Sequence, residues 1–69
     1  MSELIGVTVN GEEREFDGPL TVAGLLERLE LPQRGIAVAV DGAVFPRGRW
    51  SESVRRGWEI EILTAVQGG

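Results

Sequence analysis

Ile5, Val7 and Val9 alternate with Gly6 and Thr8, the period-2 pattern of a half-buried strand. The pattern stops at Asn10-Gly11, a strong hairpin signal because both residues tolerate positive φ. Beyond the turn, Arg14 and Phe16 fall on one side while Glu13, Glu15 and Asp17 fall on the other. This predicts a mostly solvated edge strand anchored by Phe16 and closed at Gly18-Pro19.

The period then changes. Val22, Leu25, Leu26 and Leu29 stand at i, i+3, i+4 and i+7, directly after Thr21. They predict an amphipathic helix of about ten residues, N-capped by Thr21 and ended by Pro32. A helix that short is not stable alone, so its leucine stripe must lie on a sheet. Gly24 costs about 1 kcal/mol relative to Ala in such a helix, and close backbone packing is the reason expected for it.

Alternation returns at Ile36, Val38 and Val40, interleaved with Ala37 and Ala39. A second hairpin signal, Asp41-Gly42, leads into the short run Ala43-Val44-Phe45, stopped by Pro46. Residues 47–57 are rich in charge and turn formers, with Trp50 and Val54 expected to pin an irregular loop or one helical turn beneath the sheet. Trp58 to Ile62 alternates strictly and predicts a last strand to about Thr64, followed by the glycine-ended tail 65–69. The predicted order is ββαβ(β)β: an α+β domain over residues 1–64, one sheet face covered by the helix, plus a flexible tail. The helix between the second and third strands favours a right-handed crossover.

With 69 residues and no cysteine, one domain must stabilise itself through a single small core. The missing residue types narrow the chemistry further. There is no His, Cys, Tyr or Lys, so the usual general bases, thiolates, Schiff-base amines and common zinc ligands are lacking. The acidic pairs Glu12/Glu13 and Glu59/Glu61 read as solvated positions, and Thr21, Ser51 and Ser53 have no basic partner to activate them. Thr21 is better used as a cap, and Ser51 is a candidate for the same role at a short turn. A net charge of -4, with arginines scattered except for Arg47/Arg49 and Arg55/Arg56, argues against nucleic acid. No glycine-rich phosphate loop follows a strand, no apolar stretch is long enough to span a bilayer, and the N-terminus is not that of a signal peptide. A cytoplasmic protein with no zinc site of the common type and no nucleotide site of its own is the expectation.

One reactive group remains, the α-carboxylate of Gly69. Five residues beyond the last strand span roughly 17 Å when extended, far enough to enter a partner's pocket. Gly68 and Gly69 carry no side chain to block a narrow channel.

Several segments together carry a resemblance. They are Val9-Asn10-Gly11-Glu12, Leu20-Thr21-Val22 with Leu25-Leu26, Ala37 to Gly42, Val44 to Arg47 with Trp50, and Gly57 through Gly69. In order and spacing the chain resembles the thiamine-biosynthesis sulfur carriers, the ThiS branch of the ubiquitin-like MoaD/ThiS family. Trp58 and Gly24 depart from that pattern, since a small or polar residue is common after Gly57 and an acid is frequent at position 24. The resemblance implies a ubiquitin-like β-grasp fold, a mixed sheet of four or five strands curled round one helix. It also implies that an adenylyltransferase of the ThiF or ubiquitin-activating type uses Mg-ATP to adenylate Gly69. A persulfide from a sulfur-donor enzyme then supplies sulfur to give a thiocarboxylate, which a ThiG-type thiazole synthase consumes.

Such a carrier needs no catalytic side chain, so the resemblance also implies a protein that is not itself an enzyme, binds no metal or cofactor, and is monomeric when free. Partner binding is expected through Gly68, Gln67, Val66, Ala65 and Leu63, with Leu63 and Val66 as central apolar contacts. The negative chain is expected to meet a basic partner surface, Glu59 and Glu61 forming one candidate rim. Within the same chemistry stand a molybdopterin-synthase small subunit or a carrier for another pathway. A ubiquitin-like protein modifier and a binding module with an inert tail are the readings of a different class.

Overall fold

The computed structural model describes residues 3–64. Along them run β1 (Glu3–Val9), β2 (Glu12–Gly18), α1 (Val22–Arg28), β3 (Ile36–Val40), β4 (Ala43–Val44), a 3-10 turn (Arg47–Arg49) and β5 (Glu59–Thr64). The tail expected over residues 65–69 lies outside the described residues.

Five strands form one sheet in the order β2-β1-β5-β3-β4. The last strand is therefore inserted between the two hairpins. β1 and β5 are parallel, with Thr8 opposite Glu59 and Val9 opposite Ile60. The β1/β2, β3/β5 and β3/β4 pairings are antiparallel, which makes the sheet mixed.

The alternation read from the sequence decides which residues meet the helix. Ile5, Val7 and Val9 of β1 are buried, as are Val38 of β3 and Ile60 and Ile62 of β5, and Val22, Leu25 and Leu26 of the helix complete the same cluster. Phe16 anchors the β2 edge as expected, and the acidic positions around it remain exposed. Both hairpins turn through residues at positive φ: Asn10 (52°) and Gly11 (84°), then Asp41 (51°) and Gly42 (83°). That is the φ sign the two-residue type I′ turn requires at both central positions.

The helix has seven residues, not about ten, and it stops well before Pro32. The terminator is Glu30, whose φ of 60° is left-handed. Glu30 N–H donates to the Glu27 carbonyl (2.9 Å) and Leu31 N–H to the Leu26 carbonyl (3.0 Å), which is the Schellman arrangement with glutamate where glycine is usual. The packing role expected for Gly24 is also corrected. A Cβ placed there would meet the Thr21 Oγ1 at 3.4 Å and the Leu20 Cβ at 3.7 Å, ordinary contacts with its own N-terminal turn.

The helix start shows how the 47–57 loop earns its place in the fold. Thr21 Oγ1 accepts from Gly24 N–H at 3.0 Å, as a cap should. The two preceding donors are taken by the loop: Val22 N–H reaches the Glu52 carbonyl and Ala23 N–H the Trp50 carbonyl, each at 3.0 Å. All three first-turn N–H groups are thus satisfied by protein. Trp50 and Val54 are buried as expected, and the indole N–H of Trp50 donates to the Phe45 carbonyl at 3.0 Å. The single 3-10 turn begins after Pro46 and has no side-chain cap, so Ser51 does not cap it.

Candidate functional site

β5 carries the chain toward the predicted reactive end, so what holds β5 determines where residues 65–69 start. Its two faces differ sharply. Ile60 and Ile62 point into the core, while Glu59, Glu61, Leu63 and Thr64 are exposed. Trp58, just before the strand, is half-buried and packs on Phe45 with ring centroids 5.7 Å apart.

Each hairpin turn also grips β5 through a side chain. Asn10 N–H donates to the Ile60 carbonyl at 2.8 Å. Its side-chain amide then acts like one further residue of β1. Oδ1 accepts from Ile62 N–H at 2.8 Å, and Nδ2 donates to the Ile62 carbonyl at 3.3 Å. At the other end, Asp41 N–H donates to the Glu59 carbonyl at 2.8 Å and Asp41 Oδ1 accepts from Glu59 N–H at 3.0 Å. The strand is fixed at both ends, immediately before Leu63 and Thr64.

Leu63 lies opposite Ala37 and Thr64 opposite Ile36 in the β3/β5 ladder. Leu63 is 71% exposed, unusual for so large an apolar residue near the centre of a sheet. Around it opens a shallow cleft of about 630 Å³ whose other walls are Arg34, Gly35, Ile36, Ala37, Arg47 and Thr64. Arg47 extends over the face of Trp50, its guanidinium carbon 5.3 Å from the ring centroid.

Of the residues predicted to bind a partner, Leu63 is described, and its side chain is exposed on β5. Ala65, Val66, Gln67, Gly68 and Gly69 lie outside the described residues. Glu59 and Glu61 are exposed on the open face, as a rim or a solvated surface requires. Three residues of this end escape sequence reasoning. Asn10 reads as a turn former, and its second role is signalled only by the amide, which can donate and accept at once. Arg34 reads as a scattered cation and Arg47 as half of the Arg47/Arg49 pair, because only the β3/β4 hairpin and the path after Pro46 bring Arg34 and Arg47 to one cleft.

Among the described residues no group of three acidic side chains is placed to hold a metal ion. No described helix is long and apolar enough to cross a membrane. An exposed ion pair stands on the loop. Arg49 donates to Glu52 through Nε at 2.8 Å and through a terminal nitrogen at 3.0 Å. That hydrogen bonding holds the Glu52 carboxyl below its ordinary value and raises Arg49, with the mutual charge attraction as a further contribution to each.

The sequence pattern of the ThiS family matches residues 7–69. The chain belongs to the ThiS family. Its fold superimposes on the crystal structure of the thiamine biosynthesis protein ThiS from Geobacter metallireducens with a TM-score of 0.77. The two are 32% identical, and the match covers 94% of this chain and all of that one. An NMR solution structure of a thiamine biosynthesis protein from Geobacter metallireducens gives a TM-score of 0.76 at 32% identity, covering 94% of this chain and 88% of that one. The sheet of five strands with one helix is thus the ubiquitin-like β-grasp of this family. A thiazole synthase from Paramagnetospirillum magneticum is 33% identical over 64 residues, 91% of this chain. The ThiS-like chain spans only 20% of that relative's length.

Proposed function

We propose that this ThiS-family chain is a sulfur carrier in thiamine biosynthesis and that its working group is the carboxylate of Gly69. The observation that carries the reading is the family match, which runs through the Gly68-Gly69 pair to residue 69. In the proposed cycle an adenylyltransferase of the ubiquitin-activating type binds the carrier and Mg-ATP. The Gly69 carboxylate attacks the α-phosphate, pyrophosphate leaves, and an acyl-adenylate forms. Adenylation matters because a carboxylate oxygen is a poor leaving group and AMP a good one. The terminal sulfur of a donor persulfide then attacks the acyl carbon and expels AMP, and a thiol cleaves the resulting acyl disulfide, leaving the thiocarboxylate and a new disulfide on the donor side. The thiocarboxylate sulfur is ionised and nucleophilic near neutrality, in the way a low-pKa thiolate is. The likeness to a stretch of a thiazole synthase supports that class of enzyme as the acceptor.

In this reading the folded part of the chain binds and aims, and the partner supplies the metal, phosphate clamps and water exclusion. The two grips on β5 set the position from which residues 65–69 enter the partner. The absence of His, Cys and Lys from the sequence is compatible with such a role, since the carrier is a substrate.

The test is intact-mass spectrometry after incubation with adenylyltransferase, Mg-ATP, a persulfide donor and a thiol reductant. Wild type should exchange one oxygen for sulfur. Gly68→Val, a Gly69 deletion and a one-residue extension beyond Gly69 should not, because one residue moves the carboxylate by roughly 3.5 Å, beyond what in-line attack tolerates. Equal conversion of all four chains would overturn the assignment. A covalent adduct on another protein's lysine would favour the modifier reading.

A further inference from the structure

The charge around Leu63 runs against the charge of the molecule. The chain carries -4 overall, and the open sheet face presents Glu59 and Glu61 on β5 and Glu13 and Glu15 at the β2 edge. Yet the cleft formed by Arg34, Gly35, Ile36, Ala37, Arg47, Leu63 and Thr64 has two guanidinium groups and no carboxylate in its walls. Among the described residues, the ion pairs are Arg14–Glu12, Arg49–Glu52 and Arg56–Glu3, and neither cleft arginine takes part in one. Arg47 is also partly preorganised, since its guanidinium lies over Trp50, a side chain that is itself buried and hydrogen-bonded. An arginine held in this way loses less freedom on binding than one extended into water.

We infer that this cleft is the seat for an acidic, apolar-lipped surface of the protein that activates the chain: Leu63 enters the apolar lip while Arg34 and Arg47 meet carboxylates beside it. The inference rests on the carrier reading above and reverses, for this end of the molecule, the expectation of a basic partner surface drawn from net charge. Planar guanidinium groups suit carboxylates through paired N–H donors, and flanking an exposed leucine with charges is the anatomy of an apolar contact with a polar rim. Nucleotide phosphate is a poorer fit for these two arginines. When residues 65–69 are extended in a partner's channel they span roughly 17 Å, which separates the cleft from the atoms that react. The arginines thus fix the register of the domain on the channel mouth and take no part in adenyl transfer.

The experiment measures calorimetric affinity for a ThiF-type adenylyltransferase at low and high salt, alongside the mass conversion already described. Arg34→Glu with Arg47→Glu should weaken binding by about tenfold or more at low salt, and the loss should shrink at high salt. Because Arg47 packs on Trp50, Arg34→Glu alone serves as the variant with no packing role. It should weaken binding by roughly threefold with an unchanged amide NMR spectrum outside the cleft. Glu59→Gln with Glu61→Gln should leave the affinity within about twofold. Wild-type binding matched or exceeded by the double reversal overturns the inference and leaves the carrier reading intact, provided the wild type still gains sulfur. Amide shifts at Gly35, Ala37 and Thr64 with Mg-ATP alone also overturn it, in favour of a phosphate site. If wild type neither binds nor gains sulfur, the carrier reading falls and this inference with it.

Discussion

The turns Asn10-Gly11 and Asp41-Gly42 have nearly the same backbone, with φ near 50° and then near 83° in both, and both reach across to β5. They differ in how the side chain holds that strand. Asn10 makes two hydrogen bonds to the backbone of Ile62, one as acceptor and one as donor, in partly buried surroundings. Asp41 makes one, as acceptor from Glu59 N–H, in an exposed place. A carboxylate cannot donate, so the Asn10 position needs an amide where the Asp41 position does not. One turn thereby extends the sheet beyond the last β1/β5 rung, and the other only closes its start. A third residue at positive φ, Glu30, sharpens the contrast, because its side chain is exposed and its conformation serves only to end the helix.

Replacing each of these three residues with glycine relieves the same kind of backbone conformation while removing a different side-chain contribution. The largest effect is expected for Asn10→Gly. Losing both bonds to Ile62 costs about 1–2 kcal/mol net, since partly buried donors and acceptors lose their partners. Denaturant unfolding would measure it, and hydrogen exchange at the Ile62 amide should accelerate more than at Val38. Asp41→Gly should change stability by less than about 0.5 kcal/mol, the small side-chain loss being offset by glycine's ease in the turn. Equal losses at the two positions would show that turn geometry alone, and not the amide, fixes the end of β5.

Glu30→Gly has the opposite expected sign. Glutamate is poorly suited to the left-handed region, and glycine there should stabilise the protein by about 0.5–1 kcal/mol. A thermal melt that fell instead would assign the Glu30 side chain a role that its exposure does not indicate.

These positions also show which parts of the molecule the chain announces. The period-2 segments, the two Asx-Gly turns, the Thr21 cap and the leucine stripe are local signals, and each element formed where its signal lies. The helix end is hidden from the sequence because the pattern continues to Leu29 and Pro32 is the visible breaker, whereas the structural stop is a left-handed glutamate with no sequence signature. Gly24 misled in the other direction, its glycine reading as close packing where the backbone has ordinary room. The insertion of β5 between the hairpins is a non-local fact, and with it came everything that depends on which residues face one another. The Asn10–Ile62 contact, 52 residues apart, and the meeting of Arg34 with Arg47 beside Leu63 belong to that class. The exposure of Leu63 is legible as well, because the alternation of β5 puts it on the same side as Glu59 and Glu61.

The smallest expected effect concerns a hold made wholly by exposed groups, which sets a floor for the comparison. Arg49 and Glu52 stand on the loop whose carbonyls cap the helix start, with side chains 53% and 48% exposed. Hydrogen bonding from Arg49 keeps the Glu52 carboxyl below the ordinary glutamate value of 4.5; desolvation opposes it, and the charges of Arg49 and then Arg55 add smaller lowering contributions. The folded state therefore binds fewer protons at Glu52 than the unfolded chain does. Its contribution to stability is fully present above the unfolded value and is lost as pH falls through the lower folded one. Solvent and salt screen a pair this exposed, so the effect must be small. Glu52→Gln keeps the backbone carbonyl that accepts from Val22 N–H and removes only the charge. Melting temperatures of wild type and variant should differ slightly at neutral pH and converge once the solution is more acidic than the carboxylate range. A gap that widened in acid would mean that the ionised carboxylate is not what stabilises this corner of the loop.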